Sequence, residues 1–426
     1  MRVLWIVNMV FPDAAQALGI GTSASGGWLL DLAASISDFD NIELATLTYY
    51  GGNEYKDITV NKIRHFIFPG GGRRLLFDNP RTVQDCRKVV DEYKPDLIHI
   101  HGTEYAHASA ILEVAPNIPT LLTIQGILKR ISEEYYGGLS VGDLLKTVRL
   151  QDILKMKTVF SYKLLYSRNS KREFQILKTV KYVTGRTDWD RATMLSINPQ
   201  LIYFRCNYNL REVFYQSPKW DINKIKRHKI VTGAGGYSLK GLHVLLRAIE
   251  IVKQKYPDVK LHVPGGKAKN GKLVVVNGYT NYIKKLLIQL DIEDNVIFDG
   301  TLSAKEVAEN LLSANVCVVP SAIEGASATV CEAMMIGTPA ICSYRGGMTE
   351  LITDGENGFT YDFPEYPLLA YRIMQLFEDD KLALRFSAVS MERAQIRHDR
   401  EKNPKDMVEV YKEILESEKR FKNRIN

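Results

Sequence analysis

Two carboxylates, one lysine and three glycine pairs are the residues of this chain best suited to holding a charged ligand. Glu324 and Glu332 stand eight residues apart. The first follows an apolar run at 316–319 and the pair Pro320-Ser321; the second lies in a helix-compatible run. Residues 339–342 read as another strand that feeds Gly346-Gly347, with a further helix expected from about Met348. Carboxylates, a glycine turn and two helix N-termini at one end of a parallel sheet make the kind of crevice that binds ligands. The plainer reading is that Glu324 and Glu332 are surface carboxylates.

Lys240-Gly241 follows Gly235-Gly236 after an expected strand at 229–233 and opens a helix expected over 242–255. Gly26-Gly27 has a similar place after a strand at 3–7 and before a helix at 28–35. Such turns can seat a phosphate, because free backbone N–H groups point outward there; each can equally be a turn and nothing more. His101, Gln125 and Arg186 stand at or just past the ends of strands expected at 97–100, 119–124 and 182–185. The dinucleotide fingerprint G-x-G-x-x-G and the phosphate loop G-x-x-x-x-G-K-[ST] are both missing, which counts against nicotinamide enzymes and simple nucleotide triphosphatases.

These residues need a scaffold that delivers them to strand ends. The order strand, helix, strand repeats with short links through both halves, so each half reads as a parallel sheet covered on both faces. A chain of 426 residues favours two domains. The expected division is 1–218, 219–400 and a final helical segment 401–426, with a cleft between two doubly wound domains. Composition is that of a folded globular protein, at 45% hydrophobic and 25% charged. Five scattered cysteines form no metal motif and no disulfide framework, which fits a reducing, cytoplasmic setting. Residues 1–10 are too short for a signal-peptide core, and no stretch has the apolar length to span a bilayer.

Residues 146–181 depart from this rhythm. They carry ten Lys or Arg against Asp152 and Glu173, interleaved with Phe160, Tyr162, Tyr166 and Phe174. The pattern reads as helical and amphipathic. It would rest on an anionic bilayer or receive a phosphorylated lipid acceptor, unless it is a solvated basic face with its aromatics in the core. No nucleic-acid module accompanies it, so nucleic acid is not an expected partner.

The run from Glu324 to Glu332, with Gly337-Thr338-Pro339, Gly346-Gly347 and Gly355-x-x-Gly358, resembles the donor-site signature of family 4 retaining glycosyltransferases. Lys240-Gly241, Phe298-Asp299-Gly300, Pro320-Ser321 and Gly26-Gly27 are placed as in that family. Ile124-Gln125-Gly126 and Gly185-Arg186-Thr187-x-Trp189-Asp190 are similar to a bacterial subgroup associated with surface polysaccharide.

The resemblance implies the glycosyltransferase B fold: two Rossmann-like α/β domains facing across a cleft, with the C-terminal helix crossing back to the first. It implies a UDP- or GDP-sugar donor, a glycan or polyprenyl-linked acceptor, no cofactor and no metal. Lys240 would neutralise the departing diphosphate, and Gly26-Gly27 would close over it. Glu332 would take the ribose hydroxyls. Glu324 would sit by the sugar, with Gly235, Gly325, Ala326, Ser327, Ala328 and Thr329 completing the donor subsite. Many members carry an arginine near Gly235, a charge that Arg186 or Arg345 would supply here. Many carry histidine where Gln125 stands; Gln125 or His101 would then orient the sugar. The expected location is cytoplasmic, at the inner face of the membrane if residues 146–181 touch it. A nucleotide-sugar epimerase or hydrolase of the same fold, or a non-catalytic sugar-binding protein, are the alternatives.

Overall fold

The computed structural model describes residues 1–21, 27–71 and 76–425. The chain forms two compact units, one of residues 1–128, 168–209 and 398–426, the other of residues 129–167 and 210–397.

In the first unit, eight strands form one sheet: β1 (Arg2–Ile6), β2 (Glu43–Tyr50), β3 (Lys56–Val60), β4 (Ile63–Pro69), β5 (Leu97–His101), β6 (Thr120–Thr123), β7 (Tyr182–Gly185) and β8 (Ile202–Arg205). Their order is β3-β4-β2-β1-β5-β6-β7-β8. Every neighbouring pair is parallel except β3 and β4, which form a hairpin turning at Asn61 and Lys62, both at positive φ. Side chains on β1 alternate between two buried layers. Leu4 and Ile6 join one core, and Val3, Trp5 and Val7 join the other. A sheet buried on both faces accounts for strands that are apolar almost throughout.

The C-terminal helix Lys402–Ile425 covers one of these faces, burying Met407, Val408, Tyr411 and Ile414 beside Trp5. A polar relay fixes it there. The Trp5 indole N–H donates to the Tyr411 hydroxyl at 3.0 Å, which lies 2.7 Å from His99 Nδ1. His99 Nε2 is 2.6 Å from Thr123 Oγ1. Burial pushes His99 down to about 3, so its ring is neutral. The neutral ring donates from one of its nitrogens and accepts at the other, so it links the Tyr411 and Thr123 hydroxyls.

In the second unit, six parallel strands take the order β13-β10-β9-β14-β15-β16: β9 (Lys229–Thr232), β10 (Lys260–Pro264), β13 (Val296–Gly300), β14 (Val316–Val319), β15 (Ala340–Ser343) and β16 (Phe359–Tyr361). A small hairpin of β11 (Ala268–Lys269) and β12 (Lys272–Leu273) stands beside them.

The segment 129–167 is held to this unit by close backbone approaches. A Cβ on Gly137 would come within 2.2 Å of the Ser238 carbonyl oxygen, and one on Gly278 within 1.5 Å of that of Thr147. Ser238 Oγ donates to the Tyr135 carbonyl at 2.7 Å. His243 Nε2 lies 2.8 Å from the Gly137 carbonyl, and its Nδ1 is 3.0 Å from the Tyr279 hydroxyl.

Two expectations change in detail. The helix expected from Met348 is a short 3-10 helix, Gly346–Glu350, whose first residue, Gly346, has φ 64°. The basic stretch is not one amphipathic helix: the short helix Leu150–Leu154 and the long helix Val159–Thr179 are separated by Met156 at φ 49°.

Candidate active site

Lys240 and Glu324 are brought together by two loops at strand ends of the second unit. Thr232 closes β9 by donating from Oγ1 to the Val318 carbonyl at 2.7 Å, which ties it to β14. The chain then makes the turn Ser238–Lys240 and reaches Gly241 at φ 70°. A Cβ there would lie 1.7 Å from the Pro320 carbonyl oxygen, so only glycine lets the two loops touch. The Ala322 N–H donates to the Leu239 carbonyl at 2.8 Å and fixes the contact. Lys240 Nζ thereby meets Glu324 Oε1 in an ion pair, and Ser321 Oγ donates to the same oxygen at 2.9 Å. Burial favours the neutral amine, but the Glu324 carboxylate outweighs it and holds the Lys240 pKa above the ordinary lysine value.

The backbone of Glu324 is fixed by the glycine turn. Gly347 N–H donates to the Glu324 carbonyl at 2.9 Å, and a Cβ on Gly346 would lie 2.0 Å from that oxygen. Gly325, Ala326 and Ser327 follow as a loop, and the helix Ala328–Ile336 begins with no side chain capping it from Ser327. Thr329 packs its hydroxyl against Gly233 at the end of β9. One turn later comes Glu332, which is buried. Arg211 reaches its Oε1 with Nη2 at 2.7 Å and Nε at 3.2 Å. Burial raises the Glu332 pKa, and the guanidinium opposes that rise. Arg211 escaped the sequence reading because it lies in a stretch of mixed polarity without periodicity; no signal pointed to it.

Gly235 is half-buried, with open space where a Cβ would sit. Arg345 is turned to its own neighbours, donating from Nη2 to the Phe363 carbonyl at 2.8 Å and to Asp362 at 3.3 Å. A cavity of about 320 Å³ lies against the Gly236–Ser238 loop, and the segment 129–167 lines it with Tyr135, Lys157, Tyr162 and Tyr166.

The remaining candidates belong to the first unit. Gly27 opens the helix Gly27–Ser37, and Gly26 lies outside the described residues. His101 ends β5 with its ring fully buried, 4.3 Å from Trp5 and 3.9 Å from His99 between centroids. Burial first, and His99 second, hold its pKa well below the usual value. Gln125 donates from Nε2 to the His101 carbonyl at 3.0 Å, and Arg186 Nη2 donates to the Gln125 carbonyl at 3.3 Å. His101, Gln125 and Arg186 thus form one connected group at the ends of β5, β6 and β7. Glu104, the acid an epimerase reading would look to, accepts from Asn8 at 3.2 Å, and burial raises its pKa.

Among the described residues no three His, Cys, Asp or Glu are grouped to hold a metal ion. No helix among them is long and apolar enough to cross a membrane.

Residues 217–393, which include Lys240, Glu324 and Glu332, match the family model described as glycosyl transferases group 1. The chain is 24% identical over 362 residues to an uncharacterized glycosyltransferase of Methanocaldococcus jannaschii, covering 84% of this chain and 86% of that one. Its structure is similar to sucrose-phosphate synthase from Thermosynechococcus elongatus, with a TM-score of 0.71, 16% identity and coverage of 98% and 99%. It is also similar to Anabaena HepE in complex with UDP-glucose, with a TM-score of 0.64, 16% identity and coverage of 97% and 100%. With the glycosyltransferase B fold over nearly its whole length and a group 1 domain around the paired carboxylates, the chain is a transferase enzyme, a glycosyltransferase.

Proposed function

We propose that this enzyme is a family 4 retaining glycosyltransferase that moves a hexose-type sugar from a UDP- or GDP-sugar to a glycan or lipid-linked acceptor in cell-surface polysaccharide synthesis. The observation that carries the reading is the Lys240–Glu324 ion pair, seated by Gly241 and Gly346 within the group 1 domain. The UDP-glucose bound to the similar HepE structure supports a nucleotide-sugar donor.

A cation kept protonated beside a carboxylate suits a ligand that brings both phosphates and hydroxyls. When a diphosphate arrives, Lys240 turns from Glu324 to it, and Glu324 is freed to accept from sugar hydroxyls. The open helix start at Ala328 and the amides of 325–327 add donors. Glu332, held by Arg211, takes the ribose hydroxyls.

In the transfer, the bond from the anomeric carbon to the phosphate oxygen breaks and a bond to the acceptor oxygen forms on the same face. The acceptor proton passes to the departing phosphate oxygen. Negative charge grows on the diphosphate as this happens, and the Lys240 ammonium, once turned to it, stabilises that charge. Gln125, braced by Arg186 and bonded to the His101 carbonyl, positions groups by hydrogen bonding. It cannot act as a base.

A panel of nucleotide sugars with and without an added glycan or lipid-linked acceptor tests the reading. Turnover that requires the acceptor and yields an α-linked product from an α-linked donor is the expected result. Release or isomerisation of the sugar at full rate without acceptor would establish a hydrolase or epimerase instead.

A further inference from the structure

The first unit contains a cavity of about 600 Å³ that the proposed transfer does not use. It lies between the start of the helix Pro80–Tyr93, the helix His107–Val114 and residues 168–175 of the helix Val159–Thr179. Ala106, Ser109 and Ala110 form one wall, and their small side chains leave the space open. The first two helices follow β4 and β5, so they start at the C-terminal edge of the sheet. That edge also carries His101, Gln125 and Arg186, and it is where open α/β sheets take ligands.

Three cations of the long helix line this space. Lys171 and Arg172 follow Arg168 at helical spacing, which puts all three on one face. Arg172 is committed to the fold. Its side chain is 9% exposed, and it donates to Asp78 at 3.2 Å and to the Leu76 and Glu104 carbonyls at 3.3 and 2.8 Å. Its charge is thereby answered by Asp78. Arg168 and Lys171 differ: both are exposed, and neither pairs with an acid among the described residues. Arg168 lies over the Phe77 ring, 4.8 Å from its centroid. Between the two cations, Asn169 lines the cavity and is only 6% exposed, yet its amide has no hydrogen-bond partner among the described residues. A buried amide without a partner is costly, and a ligand that pairs with it removes that cost.

The acids narrow the class of ligand. Glu113 also lines the cavity, about two turns along its helix from Ala106, and makes no ion pair among the described residues. A bare anion drawn to Arg168 and Lys171 would meet Asp78 and Glu113 on the same walls. A molecule that carries both an anionic group and hydroxyls uses every one of these side chains. We propose that this cavity is a binding site for an acidic sugar, one bearing a carboxylate or a phosphate. Arg168 and Lys171 take the anionic group through charge-assisted hydrogen bonds, and Glu113 and the Asn169 amide take hydroxyls. The volume falls within the roughly 300–1,000 Å³ of small-molecule sites. That this sugar belongs to the acceptor rests on the transferase reading; the site does not.

The test titrates the full chain by ligand-observed NMR with a methyl glucuronide, a phosphorylated methyl glucoside, the neutral methyl glucoside and inorganic phosphate. At least one acidic sugar should bind at least tenfold more tightly than the neutral sugar and than inorganic phosphate, and which of the two does so tells carboxylate from phosphate. Arg168→Ala with Lys171→Ala should weaken that binding at least tenfold, and Asn169→Leu should weaken it too. Lys402→Ala with Lys405→Ala, which removes the same charge elsewhere on this unit, should leave it unchanged. Thermal unfolding should match the wild type in all three, since the cations are exposed and the Asn169 amide holds nothing in the fold. Binding of the neutral sugar or of inorganic phosphate as tight as that of the acidic sugars would overturn the proposal. So would equal loss in the two double variants, or no binding of any probe. Donor turnover with soluble acceptors that do and do not carry the acidic sugar, measured in parallel, separates failure of the site from failure of the transferase reading.

Discussion

At the scale of single residues, the paired carboxylates are distinguished by their cations. Lys240→Ala should lower kcat by about 10²–10³, the usual cost of losing one preorganised stabiliser of developing charge. Steady-state donor turnover measures it, and KM should change less than kcat. Glu332 offers a second test, because its partner leaves a mark on stability as well as on binding. Arg211→Leu strands a buried carboxylate and should destabilise the protein by about 1–3 kcal/mol in urea unfolding. The double variant Arg211→Leu with Glu332→Leu should recover part of that loss, while each change alone weakens donor binding. Glu324 and Glu332 were legible in the sequence through their spacing and the glycines around them. Arg211 was not, because its pairing spans more than a hundred positions and its own neighbourhood has no pattern.

At the scale of elements, glycine positions separate geometry from ligand space. Gly241 sits at φ 70° with the Pro320 carbonyl where its Cβ would be, whereas Gly235 has nothing within 4 Å of that position. Gly241→Ala should therefore destabilise by about 2 kcal/mol or more, through strain and collision. Gly235→Ala should leave stability within about 0.5 kcal/mol. Thermal unfolding of the two variants side by side checks this contrast. Most strand and helix positions followed from apolar runs and periodicity, but the helix Pro12–Ala17 lies in a stretch without such a pattern that reads as a loop. The break at Met156 was not readable either, because a left-handed residue that is not glycine leaves no trace in composition.

At the scale of the whole molecule, stability should depend on pH through buried histidines. Burial pushes His65 and His243 down to about 4 and His99 and His107 to about 3. An unfolded histidine takes a proton near 6.5. Between that pH and about 4 the unfolded chain binds more protons than the folded one, so stability falls as the pH drops through this window and is fully present above it. Urea midpoints from pH 7.5 down to 4.5 should decline accordingly. Tyr411→Phe should cost about 1–3 kcal/mol, because it leaves Trp5 and His99 without the hydroxyl that joins them.

Sequence by itself determined the local grammar: two doubly wound halves, glycine turns at strand ends, and which carboxylates and lysine stood near those turns. Periods of two and of 3.6 residues and the conformational demands of glycine are local properties, so the chain carries them openly. Tertiary structure alone decided the pairings: Lys240 with Glu324, Glu332 with Arg211, Tyr411 with Trp5 and His99. It also decided that residues 129–167 join the second unit, where Tyr135, Tyr162 and Tyr166 line a cavity. Those facts depend on which distant backbones approach closely enough to touch, and no short window of sequence contains both partners.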